Sequence, residues 1–336
     1  NDMIPKEDTI VIVTHDGYIK RVSIRSYSTN TDDTLLKDGD YIIGLYNINT
    51  SQTVLVFTDL GNYLFLPVYE IPDTKWKDIG KHVSNIISMS DDEKIVGAMP
   101  VYDFEKEQFI TIFTKNGMVK RTRLKEFKVG RYSKEISMIK LQEDDKVVDV
   151  SYSNNKDVFV ATKNGYGLWY DISEVSVVGI RASGVKSIKL KDDEVVSSQL
   201  FNPDDEYITV ITDKGTAKRM KLSLIEKTSR ANRGVLLMKP IKSNPSKIII
   251  GFVVPKDEEF VINSIGETKK IKTTEISIMD KQSNGSFIVK DKIISVYRCV
   301  KMINNVDKNI EEKNMINEKL SNISKEYQNL KKIDDK

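Results

Sequence analysis

VIVTHDGYIKR, residues 11–21, reads as an apolar run, a turn centred on Gly17 and a second strand carrying a Lys-Arg pair. Valine and isoleucine favour the pleated, half-buried surface of a strand. Glycine supplies the positive φ of a tight hairpin turn because it has no Cβ to clash. The stretch recurs. VLVFTDLGNYLFL (54–66), ITIFTKNGMVKR (110–121), VFVATKNGYGLWY (158–170), ITVITDKGTAKRM (208–220) and EFVINSIGETKKIK (259–272) repeat the plan around Gly61, Gly117, Gly165, Gly215 and Gly266. Successive glycines stand 44, 56, 48, 50 and 51 residues apart. A threonine shortly precedes five of them, and the sixth unit has Asn263 instead.

A second signature follows each hairpin: an acidic turn, then an apolar strand, as in LLKDGDYIIGLY, MSDDEKIVGAM, LQEDDKVVDVSY, LKDDEVVSSQL and VKDKIISVYR. The fifth unit has MKPIKSNPSKIIIGFVV, with a prolyl turn in that place. Two hairpins per period give about four strands per unit, and a four-stranded period of roughly 40–50 residues is how radial folds read. The expected fold is all-β, a six-bladed β-pinwheel, a propeller-like ring of four-stranded blades, over residues 1–300. A C-terminal helical tail is expected over 301–336. No glycine or proline interrupts 304–332, and Ile316, Leu320, Ile323, Tyr327 and Leu330 form a heptad-like stripe. Two readings of that helix stay open: one docked on the ring or partly disordered, and one that binds a partner or a second copy.

Composition narrows the function classes. Hydrophobic residues at 39% and charged ones at 30% are ordinary for a soluble globular chain. The longest apolar run, IIIGFVV (248–254), is far too short to span a bilayer. A single cysteine, Cys299, allows no internal disulfide and fits a reducing cytoplasm, where it reads as a small buried residue. The opening Asn-Asp-Met is unlike a native start, so a fragment of a longer protein is expected. Only His15 and His82 are present, in different units, which leaves no zinc constellation. There is no Walker A string, no nucleophile elbow and no dinucleotide fingerprint. The paired acids Asp91-Asp92, Asp144-Asp145 and Asp192-Asp193 fall in turns and are expected to be solvated. No catalytic or metal site is expected, nor convergent acids at a ring centre.

What does recur is positive charge. Lys20-Arg21, Lys120-Arg121, Lys218-Arg219 and Lys269-Lys270 follow their glycines by three and four places, with Arg25, Arg123, Lys221 and Lys272 just beyond. Units two and four carry Leu64-Phe65 and Leu168-Trp169 there. Equivalent positions on a ring lie at one height, so these cations are expected to form a belt matching the phosphates of a curved duplex. A second set stands in the connections GRYSKEIS (Arg131, Lys134), GIRASGVKSIK (Arg181, Lys186, Lys189) and KTSRANRGVLLMK (Lys227, Arg230, Arg233). Small residues beside these arginines suit close approach of the backbone to phosphates. With no recognition helix, the expected binding follows shape and backbone rather than sequence.

The hairpin repeat T-x-x-G-x-x-K-R, with RASGVKSI and RANRGVLLMK, resembles the C-terminal domain of the A subunit of bacterial type IIA topoisomerases. WKDIGKHVSNIIS (76–88) and LKDGD (36–40) are more similar to the topoisomerase IV branch of Gram-positive bacteria. The resemblance covers about residues 4–298. It implies a module that binds and bends double-stranded DNA and presents it to a catalytic core for decatenation and relaxation during chromosome segregation. It further implies that the active-site tyrosine lies in an N-terminal region, that ATP and Mg²⁺ are used elsewhere in the holoenzyme, and that a B subunit completes an A2B2 heterotetramer. On this reading the isolated domain is a monomer, nucleoid-associated in the cytoplasm, with no cofactor of its own. The connection SYSTNTDDTLLKDGD lacks the Q-R-R-G-G-[RK]-G box by which gyrase wraps DNA, and only SRANRGV keeps a worn version. That favours topoisomerase IV over a divergent gyrase. A propeller used as a protein-interaction platform is the remaining alternative.

Overall fold

The recurring threonine and glycine build the hairpin turn together. In the third repeat Gly117 takes φ +83°, its amide reaches the Thr114 carbonyl at 3.1 Å, and the Thr114 hydroxyl accepts the Met118 amide at 3.0 Å. Thr14, Thr58 and Thr162 accept the amides of Tyr18, Asn62 and Tyr166 in the same way. One short side chain thus satisfies a backbone donor that the turn would leave unpaired. The sixth repeat, without the threonine, closes its turn through the Ser264 amide and the Glu267 carbonyl.

The acidic turns are solvated only in part: Asp91-Asp92, Asp144 and Asp192 are exposed as expected, but the second acid of the other two pairs turns inward. Asp40 and Asp145 are buried, and each accepts two amides: Asp16 and Tyr41 at 2.9 and 2.8 Å, Asn116 and Lys146 at 2.9 and 2.8 Å. Asp193 holds Asn164 and Glu194 likewise. In units two and five the acid sits on the hairpin instead. Asp59 accepts the Lys94 amide and Asp213 the Lys247 amide, which explains why the fifth unit functions with a prolyl turn.

The computed structural model describes residues 4–30 and 33–334, with the backbone alone for 307–312. Five sheets have four antiparallel strands and the sixth has three. From the ring axis outward, blade one orders Ile42–Asn49, Asp8–Thr14, Tyr18–Ser23 and Lys81–His82. Blade two orders Ile95–Val101, Thr53–Thr58, Asn62–Pro67 and Ile136–Ser137. Blades three, four and five follow suit, with Val185–Lys186, Val235–Leu236 and Ser286–Phe287 outermost. Each outermost strand therefore comes from the following unit, not from its own as the repeat implied. It is two residues long, delivered by a crossover loop. Among the described residues blade six has Ile293–Arg298, Glu259–Ser264 and Thr268–Lys272 and no fourth strand.

Both faces of the hairpin strands are covered. Val11 and Val13 pack with Val54 and Val56 of blade two, while Ile10 and Ile12 face the opposite way with Val22 and Trp76. That two-sided burial is why these strands read as continuous apolar runs rather than alternating ones. Residues from all six innermost strands line one central cavity of about 550 Å³. The ring ends meet where the Tyr41 and Tyr297 rings stack at 3.8 Å and where Ile303 pairs with Leu45 and Asn47 of blade one. A short helix α1 (Ile24–Thr29) follows the first hairpin, and α2 (Val306–Asp334) forms the tail.

Candidate nucleic-acid interface

The hairpin cations divide by the two faces of the second strand. Lys20, Lys120 and Lys218 turn inward and are 2%, 1% and 1% exposed. This corrects the belt: these three amines do not reach the surface. Lys120 Nζ donates to the carbonyls of Met138 and Ile180 at 2.6 and 2.7 Å. Lys218 Nζ donates to those of Asp280 and Ser283, both at 2.7 Å. Lys20 Nζ serves the carbonyls of Trp76 and Asp78 and the Thr34 hydroxyl. Burial pulls all three ammonium groups down to about 8, against a smaller opposing pull from nearby Asp78, Glu126 and Asp280 respectively. Their carbonyl partners lie mainly on the crossover loop that brings in the same blade's outermost strand. The lysines are internal pins for the strand exchange. Blades two and four have buried Leu64 and Leu168 at this position.

The adjoining arginines are half-buried. Arg21 Nε donates to the Ile71 carbonyl at 3.2 Å and Arg219 Nε to the Ile276 carbonyl at 2.8 Å. Arg121 lies 4.1 Å from the centre of the Phe109 ring, where burial lowers its pKa. Arg21 and Arg219 thus hold the start of the crossover loops of blades one and five against the hairpin, whereas the buried Arg121 Nε has no hydrogen-bond partner among the described residues. Lys269, Lys270 and Lys272 of blade six are exposed, with Lys269 donating to the Ile288 carbonyl and Lys270 paired with Glu259 at 3.2 Å. Arg25 on α1, Arg123 and Lys221 are exposed, and Arg123 lies 3.8 Å from Glu107.

The connection cations lie on the crossover loops of blades two, three and four, and the structure joins those loops edge to edge. Ser88 pairs with Ser133 and Glu135 of the blade-two loop. The Lys140 amide donates to the Ala182 carbonyl at 3.1 Å, linking it to the blade-three loop. The Ala231 amide donates to Ser187 and the Lys189 amide to Asn232, both at 2.9 Å, linking that unit to the blade-four loop. Along this line Arg131, Lys134, Lys140, Arg181, Lys186, Lys189 and Arg233 are exposed. Among the described residues Arg131, Arg181 and Lys186 have no carboxylate partner. Arg233 rests on the Tyr166 ring at 4.3 Å with its charge toward solvent. Arg230 is different: its guanidinium is committed to the carbonyls of Glu174 and Lys186.

In blades two, three and four a carboxylate from the single-turn helix at the end of the hairpin anchors these loops. Glu70 accepts the Tyr132 hydroxyl at 3.0 Å, Glu126 the Ile180 amide at 3.2 Å and Glu174 the Arg230 amide at 3.1 Å. The recurrence of Glu in VYE, KEF and ISE was the available signal, missed among surface acids. The glycine of RANRG serves the protein's own backbone: a Cβ at Gly234, φ +83°, would collide with the Gly167 carbonyl.

Acids also occur at the ring axis and beside the first turn. Asp149, unforeseen at the axis, faces the central cavity and accepts the Ser198 amide at 2.8 Å; burial pushes its carboxyl up to about 7. Glu258, also lining the cavity, is paired with Arg298 at 3.2 Å. Among the described residues one group, His15, Asp16 and Asp40, has three possible metal donors within 4.8 Å, but Asp40 Oδ1 already holds two amides. The His15 ring lies stacked on Tyr41 at 4.6 Å rather than free in solvent. Cys299 is half-buried, and burial raises its thiol pKa.

Residues 8–31, 52–101, 108–154, 156–199 and 206–255 match the family described as DNA gyrase C-terminal domain, beta-propeller. The A subunit of DNA topoisomerase 4 from Bacillus subtilis (strain 168) is 41% identical over 304 residues, which cover 88% of this chain and 38% of the relative. The Staphylococcus epidermidis protein of that name is 35% identical over 85% of this chain and 36% of its own length. The chain thus spans little more than a third of these relatives. The crystal structure of the C-terminal domain of DNA topoisomerase IV superposes with a TM-score of 0.84 at 44% identity, over 88% of this chain and 94% of that one. A DNA gyrase A C-terminal domain shares the fold, with a TM-score of 0.63 at 23% identity, over 88% of this chain and all of that one.

Proposed function

Because the chain belongs to the family of DNA gyrase C-terminal domain β-propellers, we propose that it binds and bends duplex DNA as the C-terminal domain of a topoisomerase IV A subunit. The observation that carries this reading is the hydrogen-bonded row of crossover loops on blades two to four. It presents exposed Arg131, Arg181, Lys186 and Arg233 on hydrogen-bonded backbone, and among the described residues Arg131, Arg181 and Lys186 have no carboxylate partner. Exposed cations fixed in a curved row gain most from phosphates that follow the same curve, because each neutralised phosphate releases condensed counterions. Bending 20–30 base pairs by 40–90° costs on the order of 1–6 kcal/mol, a sum that several phosphate contacts offset.

DNA contact is assigned to Arg25, Arg131, Arg181, Lys186, Lys221 and Arg233, with exposed Lys269, Lys270, Lys272 and Arg123 as outer contacts. The domain is assigned residues 1–300 and the tail 301–336, the start of the tail reaching back to blade one through Ile303 before the helix begins at Val306. In the whole protein, strand breakage and ATP hydrolysis belong to a B subunit together with the remainder of the A subunit, in an A2B2 assembly, with Mg²⁺ and ATP bound there. The identity pattern and the missing first-blade basic box support decatenation and relaxation over supercoiling.

The test is twofold. Duplexes of about 30 base pairs labelled at both ends should shorten end to end on binding. The holoenzyme with this domain deleted should lose decatenation more than it loses cleavage. Binding without any shortening would refute bending. An unchanged decatenation rate would refute DNA presentation.

A further inference from the structure

The tail helix α2 carries an apolar seam that nothing in the ring covers. Ile316, Leu320, Ile323, Tyr327 and Leu330 are 57–62% exposed. They follow a four-three-four-three spacing along one continuous helix. Residues repeating every 3.5 positions on a 3.6-residue helix stay on one face only if the helix supercoils about a partner. The other helix positions in this stretch are almost all polar, including Asn317, Ser321, Asn322, Ser324, Gln328 and Asn329. That composition gives a narrow two-residue-per-heptad stripe, the width of a coiled-coil seam rather than of a helix docked on a broad globular surface.

The charges beside the seam indicate the occupant. With Leu320 and Tyr327 in the first apolar position of the heptad and Ile316, Ile323 and Leu330 in the second, the flanking positions hold Lys319, Glu326 and Lys331. Beside a parallel second copy, Glu326 meets Lys331 of that copy, twice by symmetry. Beside an antiparallel copy, Lys319 meets Glu326, again twice. In either arrangement self-pairing brings opposite charges together, whereas like charges across a seam oppose association. We infer that α2 is a self-association helix, and that its partner is α2 of a second copy of this chain. This inference stands apart from the DNA reading, since it uses no residue assigned to DNA.

Sedimentation equilibrium on the 336-residue chain tests it, between about 1 µM and 1 mM, the range that resolves weak association. The mass should rise from 38.3 kDa toward twice that value. Leu320→Glu with Ile323→Glu should hold the chain at the monomer mass with an unchanged thermal transition of the ring. Glu326→Lys should weaken association about tenfold, since two attractive pairs become repulsive. Adding either Lys331→Glu or Lys319→Glu should restore it, and which one does so gives the orientation. A wild-type chain that stays monomeric throughout, a double-glutamate variant that associates as well as wild type, or rescue by neither reversal would overturn the inference.

Discussion

Two sets of cations occupy this ring, and their sequence settings point the wrong way. Lys20, Lys120 and Lys218 recur at a fixed offset from the turn glycine, which reads as a functional belt, yet they are buried. Arg131, Arg181 and Arg233 lie in connections of nearly equal length but at different offsets within them, five, four and two residues before the strand each connection delivers, yet their loops align edge to edge and face solvent. A repeated position in a radial fold is first a repeated packing environment. The lysines sit where the exchanged strand must be secured, because a crossover loop brings carbonyls into the interior and those carbonyls need donors. The crossover arginines sit where the backbone has already been satisfied by neighbouring loops, so their charges remain available.

Reversing the charge of a buried lysine should have the largest effect. Lys120→Glu sets a carboxylate against the Met138 and Ile180 carbonyls and should cost about 3–5 kcal/mol of stability. Chemical denaturation measures this, and a loss of DNA affinity in a fully stable ring would restore Lys120 to the surface belt. A milder cut, Lys218→Met, leaves the Asp280 and Ser283 carbonyls without their donor and should cost about 1–3 kcal/mol.

That second cost should depend on pH. The folded Lys218 titrates at about 8 and the unfolded one near the ordinary lysine value of 10.5. Between those values the unfolded chain binds more protons, so wild-type stability rises with pH relative to the methionine variant. The stability gap should widen from pH 8 to pH 10.5 and stay flat below pH 7. A flat gap throughout would mean the amine is not desolvated. The smallest effect concerns the turn: Thr114→Val strands the Met118 amide and should cost about 1 kcal/mol without changing DNA affinity, read from denaturation and binding on the same preparation.

Much of the architecture was open to a reader of the residues. Six turn glycines, their threonines and the β-branched runs before them define six hairpins, because each hairpin is a local structure with local rules. The strand exchange was not, since Lys81–His82 or Val235–Leu236 are two residues long and show no periodicity, and their partners lie a whole unit earlier in the chain. The inward lysines were hidden by the ordinary expectation that lysine is exposed. Aligning the repeats exposes the flaw: the offset that holds Lys20, Lys120 and Lys218 holds Leu64 and Leu168 in the other blades, and a site that accepts leucine is a core site. The acids misled for a similar reason. Asp40 and Asp145 look like solvated loop residues until the hairpin turn beside them is seen to need an acceptor.

Duplex DNA lying along the crossover row of blades two to four should be sensed by the salt-dependent binding of the triple variant Arg131→Glu/Arg181→Glu/Arg233→Glu. If about six phosphates are neutralised, wild type should give a slope of log affinity against log salt near −5, and the variant a slope shallower by about 3 with an unchanged thermal transition. A stable triple variant that keeps the wild-type slope and affinity would mean that DNA does not lie along this row.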